Sequence, residues 1–111
     1  MEHDVILIGS DGLGQGNLEL GGKILANFLR LLGEREGKPE YIILWNAGAK
    51  LAVEGSDWVP HLQNLEKQGV TILICQTCVE FFGIAGQVAA GKVTGMVQIQ
   101  DILFTRRVLT V

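Results

Sequence analysis

Cys75 and Cys78 are the only cysteines in the 111-residue chain, and they follow an apolar run in the stretch ILICQTCVEFFG at 72–83. Two thiols at this spacing can exchange disulfides, carry a persulfide sulfur, ligate a metal or simply pack. Their setting sorts these options. The apolar run reads as a strand, the residues after it as a helix, and Thr77-Cys78-Val79-Glu80 spells a T-x-x-E capping box. This makes Thr77 the expected N-cap and Cys78 the first helical residue, with Cys75 just ahead of the cap. Both sulfurs then lie near the positive end of a helix dipole, which favours thiolate and lowers a thiol pKa from about 8.5. The arrangement suits a nucleophilic Cys75, with Cys78 within reach to resolve a disulfide or accept a sulfur atom. The competing reading is that one or both are small buried hydrophobes. A structural zinc site wants about four ligands, and the histidines, His3 and His61, are remote in sequence. A thioredoxin-like redox pair lacks here its W-C-x-x-C context and its later proline loop.

Two further loops begin where an apolar run stops. The first, GSDGLGQGN at 9–17, offers Ser10, Gly12 and Gly14 ahead of a helix. Such a turn can cradle an anion on backbone N–H groups. G-L-G-Q-G does not complete the dinucleotide fingerprint, and Gly22-Lys23 is followed by Ile24 where a phosphate loop needs Ser or Thr. A turn lining the cysteine site is therefore preferred to nucleotide binding. The second loop, at 45–57, offers Asn46, Gly48 and Lys50 as donors to an anionic group near the sulfur, against a reading of Asn46 as a turn residue and Lys50 as solvated. Thr77 completes the candidate binding set. Trp45 and Trp58 read as core or subunit contacts, and His61 as surface or capping.

The elements that must position these loops follow from apolar patterning. The short continuous run at 5–9 suits a strand covered on both faces, and similar runs at 41–45, 70–74 and 106–111, the last opening on two arginines, suit strands with alternate or continuous burial. Asn17 is placed to cap a helix with Leu18, Leu25, Phe28, Leu29 and Leu32 at helical spacing and Gly33 at its stop, with Gly21 and Gly22 permitting close packing on the sheet. Asp57 is placed to cap a second helix with Pro60 in its first turn and Val59, Leu62 and Leu65 inward, ended by Gly69. A helix near 77–84, a short edge strand near 91–93 and a last helix over 96–104, with Met96, Ile99 and Leu103 inward, complete the order β-α-β-α-β-α-(β)-α-β. The expected fold is α/β, a mainly parallel five-stranded sheet between helices, in a single domain over 1–111. Ligands collect at the carboxyl ends of such strands.

Composition bounds the function. Hydrophobic residues make up 48% and charged residues 19%, a balance that supports one core. The net charge of −3, with Arg106-Arg107 as the only adjacent basic pair, argues against sequence-independent nucleic-acid binding. No apolar run reaches the about 18 residues of a membrane span, and 1–9 lacks a signal-peptide layout. A cytoplasmic chain is expected, where paired thiols are kept reduced.

Four stretches in order, IGSDGLGQGNLELGGKIL, IILWNAGAKLAVEGS, LEKQGVTILICQTCVEFFG and GKVTGMVQIQDIL, resemble the DsrE-like half of the YedF family of sulfurtransferase-like selenium metabolism proteins, within the DsrE/DsrF/TusD sulfur-relay group. The resemblance covers essentially the whole chain. It implies a three-layer α/β/α fold, no tightly bound cofactor and self-association into a homo-oligomer. It further implies a persulfide sulfur carried on the cysteine after the third strand, here Cys75, with Cys78 as the second cysteine of the YedF branch. Sulfur-donor or acceptor proteins, a TusA-like protein among them, are the implied partners. The family commonly has glycine where this chain has Gln76, and asparagine near Gly95. Full-length YedF proteins carry a TusA-like domain that is not within these 111 residues, so the donor is expected from elsewhere. A non-catalytic binding module with a redox-sensitive cysteine pair and a thiol-disulfide oxidoreductase are the alternatives.

Overall fold

The structure, a computed structural model, describes residues 3–111. Strands β1 (Val5–Ile8), β2 (Tyr41–Leu44), β3 (Thr71–Cys75), β4 (Lys92–Thr94) and β5 (Val108–Thr110) alternate with helices α1 (Leu18–Leu32), α2 (Val59–Lys67), α3 (Gln76–Phe82) and α4 (Met96–Thr105). The strands form one sheet in the order β4-β3-β2-β1-β5, and every pairing is parallel. The expected α/β architecture is borne out.

The order dictates where the helices lie. From β1 to β4 the chain moves steadily toward one edge of the sheet, then returns to the opposite edge for β5. Right-handed crossovers put the outward helices on one face and the returning helix on the other. Strand residues alternate accordingly. Ile6, Ile8, Ile42, Leu44, Ile72 and Ile74 pack with Leu25, Leu29 and Leu32 of α1, Leu62 and Leu65 of α2 and Val79 of α3. Val5, Leu7, Ile43, Leu73 and Cys75 pack instead against Ile99 and Ile102 of α4. Burying each such aliphatic side chain contributes about 1.5–3 kcal/mol before chain entropy is charged against it. One face is thus covered by α1, α2 and Val79 of α3 and the other by the ten residues of α4, on which Met96, Val97 and Phe104 stay exposed.

Several local expectations are corrected. Leu18 is 89% exposed, because the first turn of α1 runs past the edge of the core. Met96 is likewise exposed, and Ile102 takes the inward position beside Ile99. Asp57 does not cap α2: the Ser56 hydroxyl oxygen accepts from the Val59 N–H at 3.3 Å. Asn17 does cap α1, accepting from the Leu20 N–H at 2.9 Å, and Gly33 closes that helix. Gly21 and Gly22 pack against the first loop and Trp58 rather than the sheet: a Cβ at Gly21 would meet the Leu13 carbonyl at 3.2 Å, and one at Gly22 the Trp58 ring at 3.3 Å. Arg106, of the one adjacent basic pair, is tied to Glu40 at 2.9 Å.

Candidate functional site

Cys75 is the last residue of β3, and α3 starts at the very next residue. The strand-to-helix transition therefore falls on Cys75 itself, whose extended φ −61, ψ 123 make it the N-cap. Thr77 is already inside the helix, so the Thr77–Glu80 capping box does not form and no side chain caps α3. Cys78 sits in the first turn, three residues from Cys75, a spacing that brings side chains to the same face of a helix. Both cysteines are free. Cys75 shares the parity of Leu73 and points to the α4 face, where it is 3% exposed; Cys78 is half-buried and packs against the cores of both faces.

The two thiols open into a cleft of about 490 Å³ walled by Trp45 and Asn46 after β2, Thr77, Phe81 and Phe82 of α3, and Met96 at the start of α4. None of these side chains carries a charge. The Asn46 main-chain N–H donates to Cys78 Sγ at 3.0 Å. Burial pushes the Cys78 thiol above its ordinary pKa; the Asn46 N–H pulls it down, and the neighbouring Cys75 adds to the rise. The expectation of a dipole-stabilised thiolate is thus reversed for Cys78. α3 is only seven residues long, and the hydration lost in an apolar cleft outweighs its few aligned peptides.

The three loops do not converge on one site. Ser10, Gly12 and Gly14 line a second cleft of about 470 Å³, with Asp11, Asn17 and Trp58 among its walls, and share no residue with the cysteine cleft. The β2 loop separates them. Residues Asn46–Ala52, expected as loop, wind into a 3-10 helix, and Gly48 is buried against β1, where an added Cβ would collide with the Ile8 carbonyl oxygen. Trp45 lies beside Gly9, whose added Cβ would meet the indole nitrogen at 3.3 Å. A wall of β2-loop residues therefore stands between the β1 and β3 loops. Of the predicted binding set, Asn46 and Thr77 are with the sulfurs; Gly48 supports the wall from behind. Lys50 is exposed, its ammonium 4.6 Å from the centroid of the Phe82 ring, at the back of an aromatic that faces the cleft.

Sequence reading missed Phe81, Phe82 and Met96 as walls, and Trp45 was read as core or contact surface. The signal for Phe81 was its place three residues beyond Cys78, on the helix face that carries the thiol. Among the described residues, no group of three or more His, Cys, Asp or Glu side chains is placed to hold a metal ion.

No protein-family model matches the chain, and no curated protein sequence is similar to it. Solved structures do match it along nearly its full length. The ychN protein from E. coli superposes with a TM-score of 0.74 at 16% identity, over 98% of this chain and 99% of that one. The protein of unknown function BT1422 from Bacteroides thetaiotaomicron gives 0.69 at 24% identity, covering 97% and 95%. MTH1491 from Methanobacterium thermoautotrophicum, also of unknown function, gives 0.69 at 16%, covering 96% of each chain. At these identities the likeness establishes the fold, which is the DsrE-like one.

Proposed function

We propose that this chain is a sulfur carrier of the sulfurtransferase-like, YedF-related kind, holding sulfane sulfur as a persulfide on its cysteine pair. The observation that carries this reading is the pairing of two free thiols, Cys75 and Cys78, in a cleft at the carboxyl end of β3 with a main-chain N–H aimed at one sulfur. Persulfide transfer is a heterolytic exchange at sulfur: a thiolate attacks the outer sulfur of R–S–SH, the donor S–S bond breaks and the donor leaves as a thiol. It needs a nucleophile, room for one added sulfur and little else. The uncharged walls fit a sulfur presented by a protein or an apolar thiol better than a free multiply charged anion, which would want cations in the cleft. Donor and acceptor proteins, a TusA-like one among them, are the proposed partners. The exposed Phe81, Met96, Val97 and Phe104 support self-association. The proposed location is the cytoplasm; among the described residues no helix is long and apolar enough to cross a membrane.

The test is mass spectrometry of the protein after incubation with a persulfide donor. A reductant-labile gain of about 32 Da per sulfur, or about 79 Da per selenium from a selenium donor, is expected on the peptide holding the pair. A protein that gains neither, while a control carrier is loaded, ends the reading. One observation favours a second reading: a Cys78 thiol raised above its ordinary pKa suits a protected thiol in a binding module more than a standing nucleophile. That reading expects partner binding undiminished when both cysteines become serine.

A further inference from the structure

The two thiols are not equivalent. Cys75 is 3% exposed, at the floor of the cleft and packed on Leu73 and Ile99 in the α4-side core. Cys78 stands on the wall with part of its surface open, and its sulfur is the one that receives the Asn46 N–H at 3.0 Å. Among the described residues, Asn46 is the only non-glycine with positive φ, at 53°. Asparagine is among the side chains that best tolerate this region, and a β-branched one is not. The turn is tied down on both sides: the Trp45 N–H donates to the Ile8 carbonyl at 3.2 Å, the Gly48 N–H to the Trp45 carbonyl at 3.0 Å, and Gly48 sits where no Cβ fits over Ile8. The N–H cannot turn from the sulfur without unseating the loop from β1.

We propose that Cys78 is the thiol that receives the incoming sulfur, that the Asn46 main-chain N–H is the group holding it for attack, and that Cys75 takes sulfur from Cys78 rather than from the donor. The proposal rests on the sulfur-carrier reading and assigns the roles within it. In the first exchange the Cys78 thiolate attacks the outer sulfur of R–S–SH. A Cys78 S–S bond forms, the donor S–S bond breaks, and the donor thiolate takes up the proton that Cys78 released, so that R–S–SH and Cys78–SH become R–SH and Cys78–S–SH. In the second, Cys75 attacks that outer sulfur and Cys78 leaves as thiolate, giving Cys75–S–SH and Cys78–SH. Neither step consumes an oxidant or a reductant. In both, negative charge develops on Cys78 Sγ, as nucleophile and then as leaving group, in surroundings that burial makes unfavourable to it. A fixed N–H at that atom opposes the penalty where it arises, on the logic of an oxyanion hole. The buried Cys75 then keeps its sulfur away from solvent.

The experiment follows loading by glutathione persulfide over time, by peptide mapping of the wild-type chain, Cys75→Ser and Cys78→Ser. Cys75→Ser should load Cys78 within about threefold of the wild-type rate, whereas Cys78→Ser should load Cys75 at least about tenfold more slowly. Cys78→Ser loading as fast as wild type overturns the order while leaving the carrier reading intact; a wild-type chain that never loads removes both. The role of the N–H is read separately, from the pH dependence of Cys78 alkylation by iodoacetamide in the Cys75→Ser background. Asn46→Gly keeps both the positive φ and the N–H and should leave the midpoint in place. Asn46→Val drives the turn out of that region and should move the midpoint up, with Asn46→Ala as the milder substitute if the valine chain does not fold. A folded variant with an unchanged midpoint overturns the assignment to Asn46.

Discussion

The cleft behind β1 and the cleft behind β3 open at the same end of the sheet and have nearly the same volume, about 470 and 490 Å³, yet the first carries charged side chains and the second carries thiols and no charge. The first mixes apolar wall from Leu18, Ala26 and Trp58 with glycine backbone and charge: Asp11, Glu19 and Asp57 carboxylates, and Lys23 paired with Glu19 at 3.7 Å. Three of its carbonyls are held within the fold, with the Ser10 hydroxyl on the Gly12 carbonyl, the Leu13 N–H on the Gly21 carbonyl and the Trp58 indole on the Gly22 carbonyl. The second is apolar and holds two thiols, with a main-chain N–H committed to a sulfur. Parallel α/β topology supplies the location of a site, at strand ends, but several such locations arise at once. What separates a structural turn from a candidate reaction centre is whether its polar groups are spent on the fold or aimed at a reactive atom.

The sharpest way to break this contrast is to push on the wall between the clefts. Gly48→Ala places a methyl group against the Ile8 carbonyl, and backbone can yield only by moving the whole β2 loop. A loss of about 1–3 kcal/mol in urea unfolding is expected, with slower sulfur loading because the Asn46 N–H shifts with the loop. Stability lost with loading unaffected would show that the N–H is not part of the sulfur site. The reverse case is Trp58→Phe on the other side, which strips the Gly22 carbonyl of its donor at 3.1 Å. It should cost about 0.5–1.5 kcal/mol and leave loading at the wild-type rate. A large loading defect there would mean that the two clefts act together after all.

Strands were legible in the sequence because both faces of this sheet are covered, so β1, β2 and β3 read as unbroken aliphatic runs. Asn17 and Gly33 were legible because capping is local. The start of α3 was not: T-x-x-E describes a helix entered from a loop, and here the strand hands over directly, so Cys75 occupies the cap and Thr77 falls inside. The cysteine pair itself was visible from spacing. Asn46 was legible as a donor near the sulfur, but not that it acts through its main-chain N–H across 32 residues, since side-chain identity says nothing of where a peptide N–H points. The division into two clefts was equally hidden. It arises because β2 lies between β1 and β3 in the sheet, so its loop must stand between theirs.

A smaller effect separates the clefts by pH. The Cys78 thiol lies above its ordinary value in the folded chain, chiefly through burial. Ionisation is then easier in the unfolded chain, so the contribution to stability is complete below the unfolded thiol pKa and is lost as pH rises through the folded one. Unfolding curves taken on either side of that window should show wild type losing stability relative to Cys78→Ser at the alkaline end. Identical alkaline slopes would mean that the thiol is not desolvated. No thiol lies in the first cleft, so Ser10→Ala should leave the slope unchanged.

The smallest expected change in stability comes from the residue that most distinguishes the mouth of the cysteine cleft. Phe81 is 84% exposed, its ring edge-on to Phe82 at 5.4 Å between centroids, and an aromatic so little buried contributes almost nothing to the core. Phe81→Ser should therefore shift unfolding by no more than about 0.5 kcal/mol. Loading gives the informative readout. If sulfur arrives on a protein whose surface must close over the mouth, losing this ring slows transfer from that protein while transfer from glutathione persulfide is unchanged, because the small donor reaches Cys78 without touching the rim. Equal rates from both donors, before and after the substitution, would place the docking surface elsewhere and leave Phe81 as an exposed side chain with no part in the chemistry.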